Sequence, residues 1–328
     1  MSLFETRIGT DLAEAAGFLR QQELVAVPTE TVYGLAANAF SADAVLKIFG
    51  VKNRPRFNPL IVHTSSFTNA LAFVQEIPPE AVRLAEAFWP GALTLLLPRN
   101  NKIPDLVTAG SHRVAIRVPA HLLTLELLQQ LEFPVAAPSA NPSGYISPTT
   151  AQHVWQGLHG KIPYILDGGP CVVGVESTIL GWDENGAAEL YRPGGIATEA
   201  IEEVLGKKVR TRKGMHDQPE APGQLKSHYA PHTPLYLGSL PELLQQFRQQ
   251  QVTVINFREY RPELPEEQQL LLAPSGTLEE AAKNLFRILR EADQRKANAV
   301  LAELLPQVGL GRAINDRLQR AQHRMKSS

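Results

Sequence analysis

Cysteine is almost missing from this chain: Cys171 stands alone among 328 residues. That count excludes a disulfide framework and a cysteine-ligated zinc centre. Charge of one sign is missing too. The 32 Lys and Arg face 33 Asp and Glu, for a formal net charge of −1. No general polyanion-binding surface is expected, and basic character is local. No apolar run approaches the ~18 residues of a membrane span. Neither G-x-x-x-x-G-K-S/T nor G-x-G-x-x-G occurs, so the P-loop and the dinucleotide fingerprint are absent. His-rich metal spacings are missing as well. The first residues carry acidic groups and a helical period instead of the make-up of a signal peptide. The expectation is a soluble cytoplasmic protein without membrane association.

Much else is present. With 328 residues, 44% of them hydrophobic, two domains with separate cores are expected. The richest stretch runs from Val25 to His63. An apolar strand, Leu24–Val27, ends in a polar loop holding Thr29, Glu30, Thr31 and Tyr33. About twenty residues on, Lys52, Arg54 and Arg56 fall at every second position. Read as extended chain, encouraged by Pro55 and Pro59, they share one face. Three cations side by side repel unless an anion lies between them, and a triphosphate fits that role. The Thr/Glu/Thr loop offers hydroxyls to a second, small polar ligand.

Two more segments share this character. VAAPSAN, Val135–Asn141, is an apolar strand stopped by Pro138 and followed by Ser139 and Asn141. VVGVESTI, Val172–Ile179, follows a Gly168-Gly169-Pro170 turn, and YRPGG begins at Tyr191. In order, PTETVYGL, KNRPRFNPL, PSAN, VESTI and YRPG resemble the YrdC-like family, the threonylcarbamoyl-AMP synthases. APGQLKSHYAPHTPL, Ala221–Leu235, is similar to the linker of its two-domain members, so the resemblance covers nearly the whole chain.

That resemblance implies a fold, a reaction and a site. The fold is α/β: a YrdC-like twisted mixed sheet with helices at 1–206, a linker or lid at 207–234, and a smaller Rossmann-like domain at 235–328. The reaction joins L-threonine, bicarbonate and ATP into L-threonylcarbamoyl-AMP with release of pyrophosphate. The product feeds threonylcarbamoyladenosine modification of tRNA through downstream transferase proteins. Mg²⁺ arrives with ATP. Lys52, Arg54, Asn58, Arg113, Ser139, Ser147, Arg192 and Tyr229 match the nucleotide side. Of the site residues, Lys52, Arg54, Ser139 and Asn141 match positions nearest the chemistry. Thr31, His63, Arg117, Ala137 and Ser177 match the threonine side.

Residue by residue, other readings stand beside these. The cations also fit a solvated loop, and Ser139 and Asn141 also fit turn chemistry. Arg117, inside the apolar strand VAIRVP, needs a partner; an internal carboxylate and a substrate carboxylate both serve. Glu176 is read as shaping its turn, without a catalytic role. Two departures stand out: Arg113 replaces a small hydroxyl residue, and Asn53 replaces glycine at a turn whose left-handed φ Asn tolerates. The reading from a different class is a module that holds tRNA or double-stranded RNA without chemistry. The near-zero net charge and the lack of aromatics among the cations oppose it.

Local signals set the elements. Thr10 is read as the cap of the first helix and Ser41 as the cap of a second ending near Phe49. Strands are expected at Leu60–His63, Ala92–Leu97, Val114–Val118, Val135–Ala137, Tyr164–Leu166, Val172–Leu180 and Glu189–Tyr191. Asp183-Glu184-Asn185-Gly186 is read as a hairpin turn. Helices are expected from Pro79 to before Pro90, over Ala120–Leu131 and over Thr198–Leu205. Beyond Leu235, strands at Leu235–Leu237, Val252–Ile255, Gln269–Leu272 and Ala299–Leu301 alternate with helices at Pro241–Gln250, Thr277–Ala292 and Arg312–Arg324.

Overall fold

The computed structural model describes residues 4–212, 221–223 and 228–322. Its strands are β1 Arg7–Gly9, β2 Val25–Val27, β3 Gly34–Asn38, β4 Ile61–His63, β5 Leu93–Pro98, β6 Arg113–Arg117, β7 Val135–Ala136, β8 Tyr164–Leu166, β9 Thr178–Trp182, β10 Ala188–Arg192 and β11 Arg210–Thr211. A second group follows: β12 Leu235–Leu237, β13 Val252–Asn256, β14 Gln269–Leu271 and β15 Ala299–Ala302. The first eleven form one mixed sheet, ordered β1-β8-β2-β3-β7-β4-β6-β5-β9-β10-β11. The last four form a parallel sheet, ordered β12-β15-β13-β14. Parallel strands need crossover helices, and the helices Leu240–Gln246 and Leu278–Gln294 supply them.

Capping chemistry explains the best-read helices. Pro79 opens the helix Pro79–Phe88 at its first position, and Gly206 closes Thr198–Leu205 at φ 68°, as Pro and Gly favour. Elsewhere the caps differ from expectation. Asp11, not Thr10, caps the first helix, accepting from Ala13 N and Glu14 N. Residues 172–177 are loop, so only Thr178–Trp182 remains of the expected strand; Gly174, at φ 78°, packs against the backbone of Lys283. The 207–234 segment starts as structure: Lys207 pairs with Glu80, and β11 joins the sheet edge.

The large sheet carries its own core on both faces, including Ile48, Leu95, Ile116 and Leu180 on one and Leu19, Val25 and Leu166 on the other. The small sheet has a core around Leu240, Val254 and Leu301. The expected separation of cores stops there. A further cluster joins the two halves: Val32, Ile146 and Val175 of the first pack with Leu285 and Phe286 of the second, and Tyr229 of the segment between them joins in.

Candidate active site

β4 and β6 run parallel, with His63 and Arg117 as register partners at their carboxyl ends. Ligands of open α/β sheets bind at such ends. Ala137 and Ser139 follow β7 nearby, and Ser177 precedes β9. The Thr29–Val32 loop closes over them. Thr29 Oγ1 accepts from the Thr31 and Val32 amides, each at 3.1 Å, and donates to Val32 O at 2.6 Å. This hydroxyl turn holds Thr31 buried against Arg117, whose Nη1 donates to Thr31 Oγ1 at 2.8 Å. The two readings of Arg117 meet here. It faces the cavity, yet its Nη2 also lies 2.6 Å from Glu30 Oε1, outside hydrogen-bond geometry.

The cations come together by another route than the one expected. The second helix runs on to Lys52, and Asn53 turns the chain in the left-handed region at φ 51°, as its residue type allows. Lys52, Arg54 and Arg56 therefore do not share an extended face. Lys52 and Arg54 turn inward, 1% and 7% exposed, while Arg56 is exposed. Lys52 Nζ donates to the carbonyls of Ser139, at 2.5 Å, and Asn141. It stands behind the PSAN loop and fixes its backbone. Arg54 donates to Asn58 O at 3.2 Å and Pro59 O at 2.8 Å. Arg192 completes the group, its Nε and Nη2 donating to Ser177 O at 3.1 and 2.9 Å. Among the described residues none of these three makes an ion pair with a carboxylate.

These residues converge on one cleft. Of the residues anticipated, Thr31, Arg54, His63, Arg117, Ala137, Ser139, Ser177, Arg192 and Tyr229 line it. Lys52, Asn58, Asn141 and Ser147 stand behind that lining. Asn58 is fully buried, and neither amide atom has a hydrogen-bond partner among the described residues. Asn141 donates to Pro142 O and Tyr145 O, and Ser147 donates to Glu176 at 2.6 Å. The Arg113 side chain does not join them. It sits at the other end of β6, about 13 Å from Arg117 at the usual strand rise, donates to Trp182 O at 2.9 Å and lies beside the Tyr191 ring. Only strand geometry decides which end of β6 meets the cleft.

Lining residues to which the sequence reading gave no role in the site include Pro222, Gly223 and His228, and Glu176, read only as shaping its turn, lines the cleft too. Their only signal was proximity to the HYAP and VEST motifs. Gly223, at φ 83°, approaches Arg192 and Tyr229 so closely that a Cβ would meet them at 3.0–3.2 Å. Pro222 O accepts from Arg192 at 3.3 Å. Tyr229 is buried, stacked on Phe286 at 5.4 Å and edge-on to His228 at 4.1 Å. Ser227 of the same motif lies outside the described residues.

Electrostatics follow the geometry. Burial pulls Lys52 well below its usual range, and Arg54 adds repulsion. Burial lowers Arg54 to about 10, with Arg192 contributing against a partial offset from Tyr229. Burial, then Arg117, lowers His63 to about 3; burial, then Arg54 and Lys52, lowers His228 well below its usual value. Both imidazoles are neutral in the fold. The unfolded chain binds protons there from about pH 6.5 downward, and the folded chain does not, so stability falls as pH falls. At pH 5.5 this costs about 1.4 kcal/mol for His63, and His228 acts in the same direction. Melting scans from pH 7.5 to 5.5 should show that drop, reduced in His63→Asn; an unchanged slope in the variant would contradict it.

Comparison with known proteins agrees with this geometry. Residues 17–194 match the Sua5–YciO–YrdC family model, described as telomere recombination. Residues 196–322 match the Sua5 C-terminal model, described as threonylcarbamoyl-AMP synthase, C-terminal domain. The chain belongs to this family. Threonylcarbamoyl-AMP synthase of Pyrococcus abyssi is 42% identical over 94% of this chain and 92% of its own length. That of Bacillus subtilis is 43% identical over the same shares. The crystal structure of P. abyssi Sua5 complexed with L-threonine superposes with a TM-score of 0.88 at 40% identity, covering 97% of each chain. The mixed sheet and the two-domain architecture are those of that relative. Among the described residues no helix is long and apolar enough to cross a membrane.

Proposed function

We propose that this family member joins L-threonine, bicarbonate and ATP into L-threonylcarbamoyl-AMP and releases pyrophosphate. One observation carries the nucleotide assignment: Lys52, Arg54 and Arg192 are buried together, and no described carboxylate forms an ion pair with them. Buried charge without a counter-ion is costly, and a polyphosphate supplies the missing anion. The other end of the same cavity suits an amino acid. Arg117 offers charge to a carboxylate it shares with Glu30, Thr31 and Ser177 offer hydroxyls, and His63 stays neutral. Similarity to a relative solved with L-threonine supports that end.

The chemistry needs no protein nucleophile. The threonine amine attacks the bicarbonate carbon, water leaves, and a carbamate forms. A carbamate oxygen then attacks the α-phosphorus, and the bond to the bridging oxygen breaks as pyrophosphate departs. The protein positions the reactants and stabilises charge. Cys171 is unsuited to attack, since burial pushes its thiol up to about 12. Glu30 and Glu176 are both engaged by arginines, and no described cluster of three His, Cys, Asp or Glu forms. Mg²⁺ would enter with the nucleotide as substrate, held by phosphate and water oxygens and one protein side chain at most. The product supplies a tRNA-modifying transferase in the cytoplasm. We place the division between the halves at residues 206 and 235, with Pro222, Gly223, His228 and Tyr229 of the intervening segment lining the cleft.

The test is pyrophosphate release that requires threonine and bicarbonate together. Arg117→Ala should raise the threonine KM about tenfold or more, as loss of a charge-assisted bond implies, and leave the ATP KM within about twofold. Salt-sensitive tRNA binding without any ATP turnover would overturn the reading.

A further inference from the structure

Arg317 belongs to the C-terminal domain, on the helix Gly311–Ala321, yet it reaches the wall of the cleft. It is fully buried. Its Nε donates to Glu176 Oε2 at 2.9 Å, and its Nη1 donates to Pro193 O at 2.7 Å and to Asp316 at 2.8 Å. Its guanidinium carbon lies 5.5 Å from the centre of the Tyr229 ring. Burial works against its charge, but Tyr229, Glu176 and Asp316 outweigh that and hold its pKa above the ordinary value.

The two groups it grips flank Arg192. Ser177 O, next to Glu176, accepts from Arg192 Nε and Nη2, and Pro193 is the residue after Arg192. The segments are locked together: Gly195 N donates to Glu176 O at 2.9 Å, and a Cβ on Gly194 would meet the Glu176–Thr178 backbone at 2.3–2.4 Å. Glu176 is the carboxylate that acts on Arg192 most strongly, and its own pKa is lowered, burial being outweighed by Arg317 and then Arg192. Arg290 of the same domain makes a parallel grip, donating to Ile146 O at 2.5 Å beside Ser147.

We propose that Arg317 is a positioning residue for the nucleotide: by engaging Glu176 and Pro193 it leaves Arg192 free to meet phosphate. Without Arg317, Glu176 is a buried carboxylate on which Arg192 acts most strongly among the remaining cations. The pair would close, and the cleft would lose the positive charge that Arg192 offers to the polyphosphate. The C-terminal domain thus sets the charge of a site whose other cations come from the first domain. This inference rests on the nucleotide reading of the cleft given above.

The experiment uses the full chain and four proteins: wild type, Arg317→Met, Glu176→Gln and the double variant. ATP affinity and pyrophosphate release are measured, threonine affinity is measured without nucleotide, and melting is recorded. Arg317→Met should weaken ATP about tenfold or more, the scale of one charge-assisted bond, with threonine affinity within about twofold. The double variant should recover most of that ATP affinity, because the carboxylate that captures Arg192 is gone. A domain-gluing role alone would move melting and leave the ATP-to-threonine ratio unchanged. Arg317→Met that folds and binds ATP normally overturns the proposal. So does a double variant that binds ATP poorly while wild type binds it well. If Arg317→Met does not fold, the double variant decides by the same criterion. If wild type itself fails to bind ATP, the functional reading falls first and this proposal with it.

Discussion

Arg54→Ala is expected to lower synthesis about 10²-fold or more, the usual loss when one preorganised electrostatic donor is removed. Arg54 is buried and faces Lys52 and Arg192, and no described carboxylate pairs with it. Its removal relieves repulsion while it frees the Asn58 and Pro59 carbonyls. The two effects oppose each other, so the ligand-free protein should melt near the wild-type temperature. The stabilisation that saturating ATP confers, about 2.7 kcal/mol at a hundredfold excess over Kd, should largely vanish. Lys52→Ala should lose activity similarly but also lose stability. It strands the buried carbonyl Asn141 O, at about 1–3 kcal/mol, and the part-buried Ser139 O, at less. Pyrophosphate release and ATP-dependent melting check both. Wild-type turnover in Arg54→Ala would remove the phosphate-cradle reading.

Ending the chain after residue 206 should leave a folded first sheet that still binds threonine, while synthesis falls about 10²-fold or more. Of the core around Ile48, Leu95 and Ile116, Val209 at its margin is the one described residue lost, so the core survives. The cleft does not. It loses Pro222, Gly223, His228 and Tyr229 from its lining. Val32, Ile146 and Val175 lose their apolar cover, and Glu176 loses Arg317. Water then reaches a site where a hydrolysable adenylate forms. Tyr229→Ala in the whole chain should reproduce much of the loss. Threonylcarbamoyl-AMP yield from the three proteins is the measurement, and full yield from the short form would reduce the second half to an appendage.

Local chemistry made part of this protein legible in its sequence. Pro79 at a helix start and Gly206 after a helix end set those boundaries to the residue. Asp183 and Gly186 announced the hairpin between β9 and β10, and Asp183 Oδ1 accepts from Asn185 N and Ala187 N as such turns require. In the second half, alternation of strand and helix patterns was enough to read a small α/β unit. These are features whose energies are settled within a few residues of chain.

Only the tertiary structure decided the rest. Gly34–Asn38, sequence GLAAN, has no β-branched residue and went unread; it is a strand because β2 and β7 bond to it on either side. The alternate spacing of Lys52, Arg54 and Arg56 promised one face. The helix ending at Lys52 and the left-handed Asn53 divided them instead, two inward and one outward. Arg113 and Arg117 share a strand, yet only the carboxyl end of that strand meets the cleft. Arg317 and Glu176 stand 141 residues apart, and no local pattern ties them. A buried charge must find its partner wherever the packed chain brings one, and that partner is chosen by the whole fold.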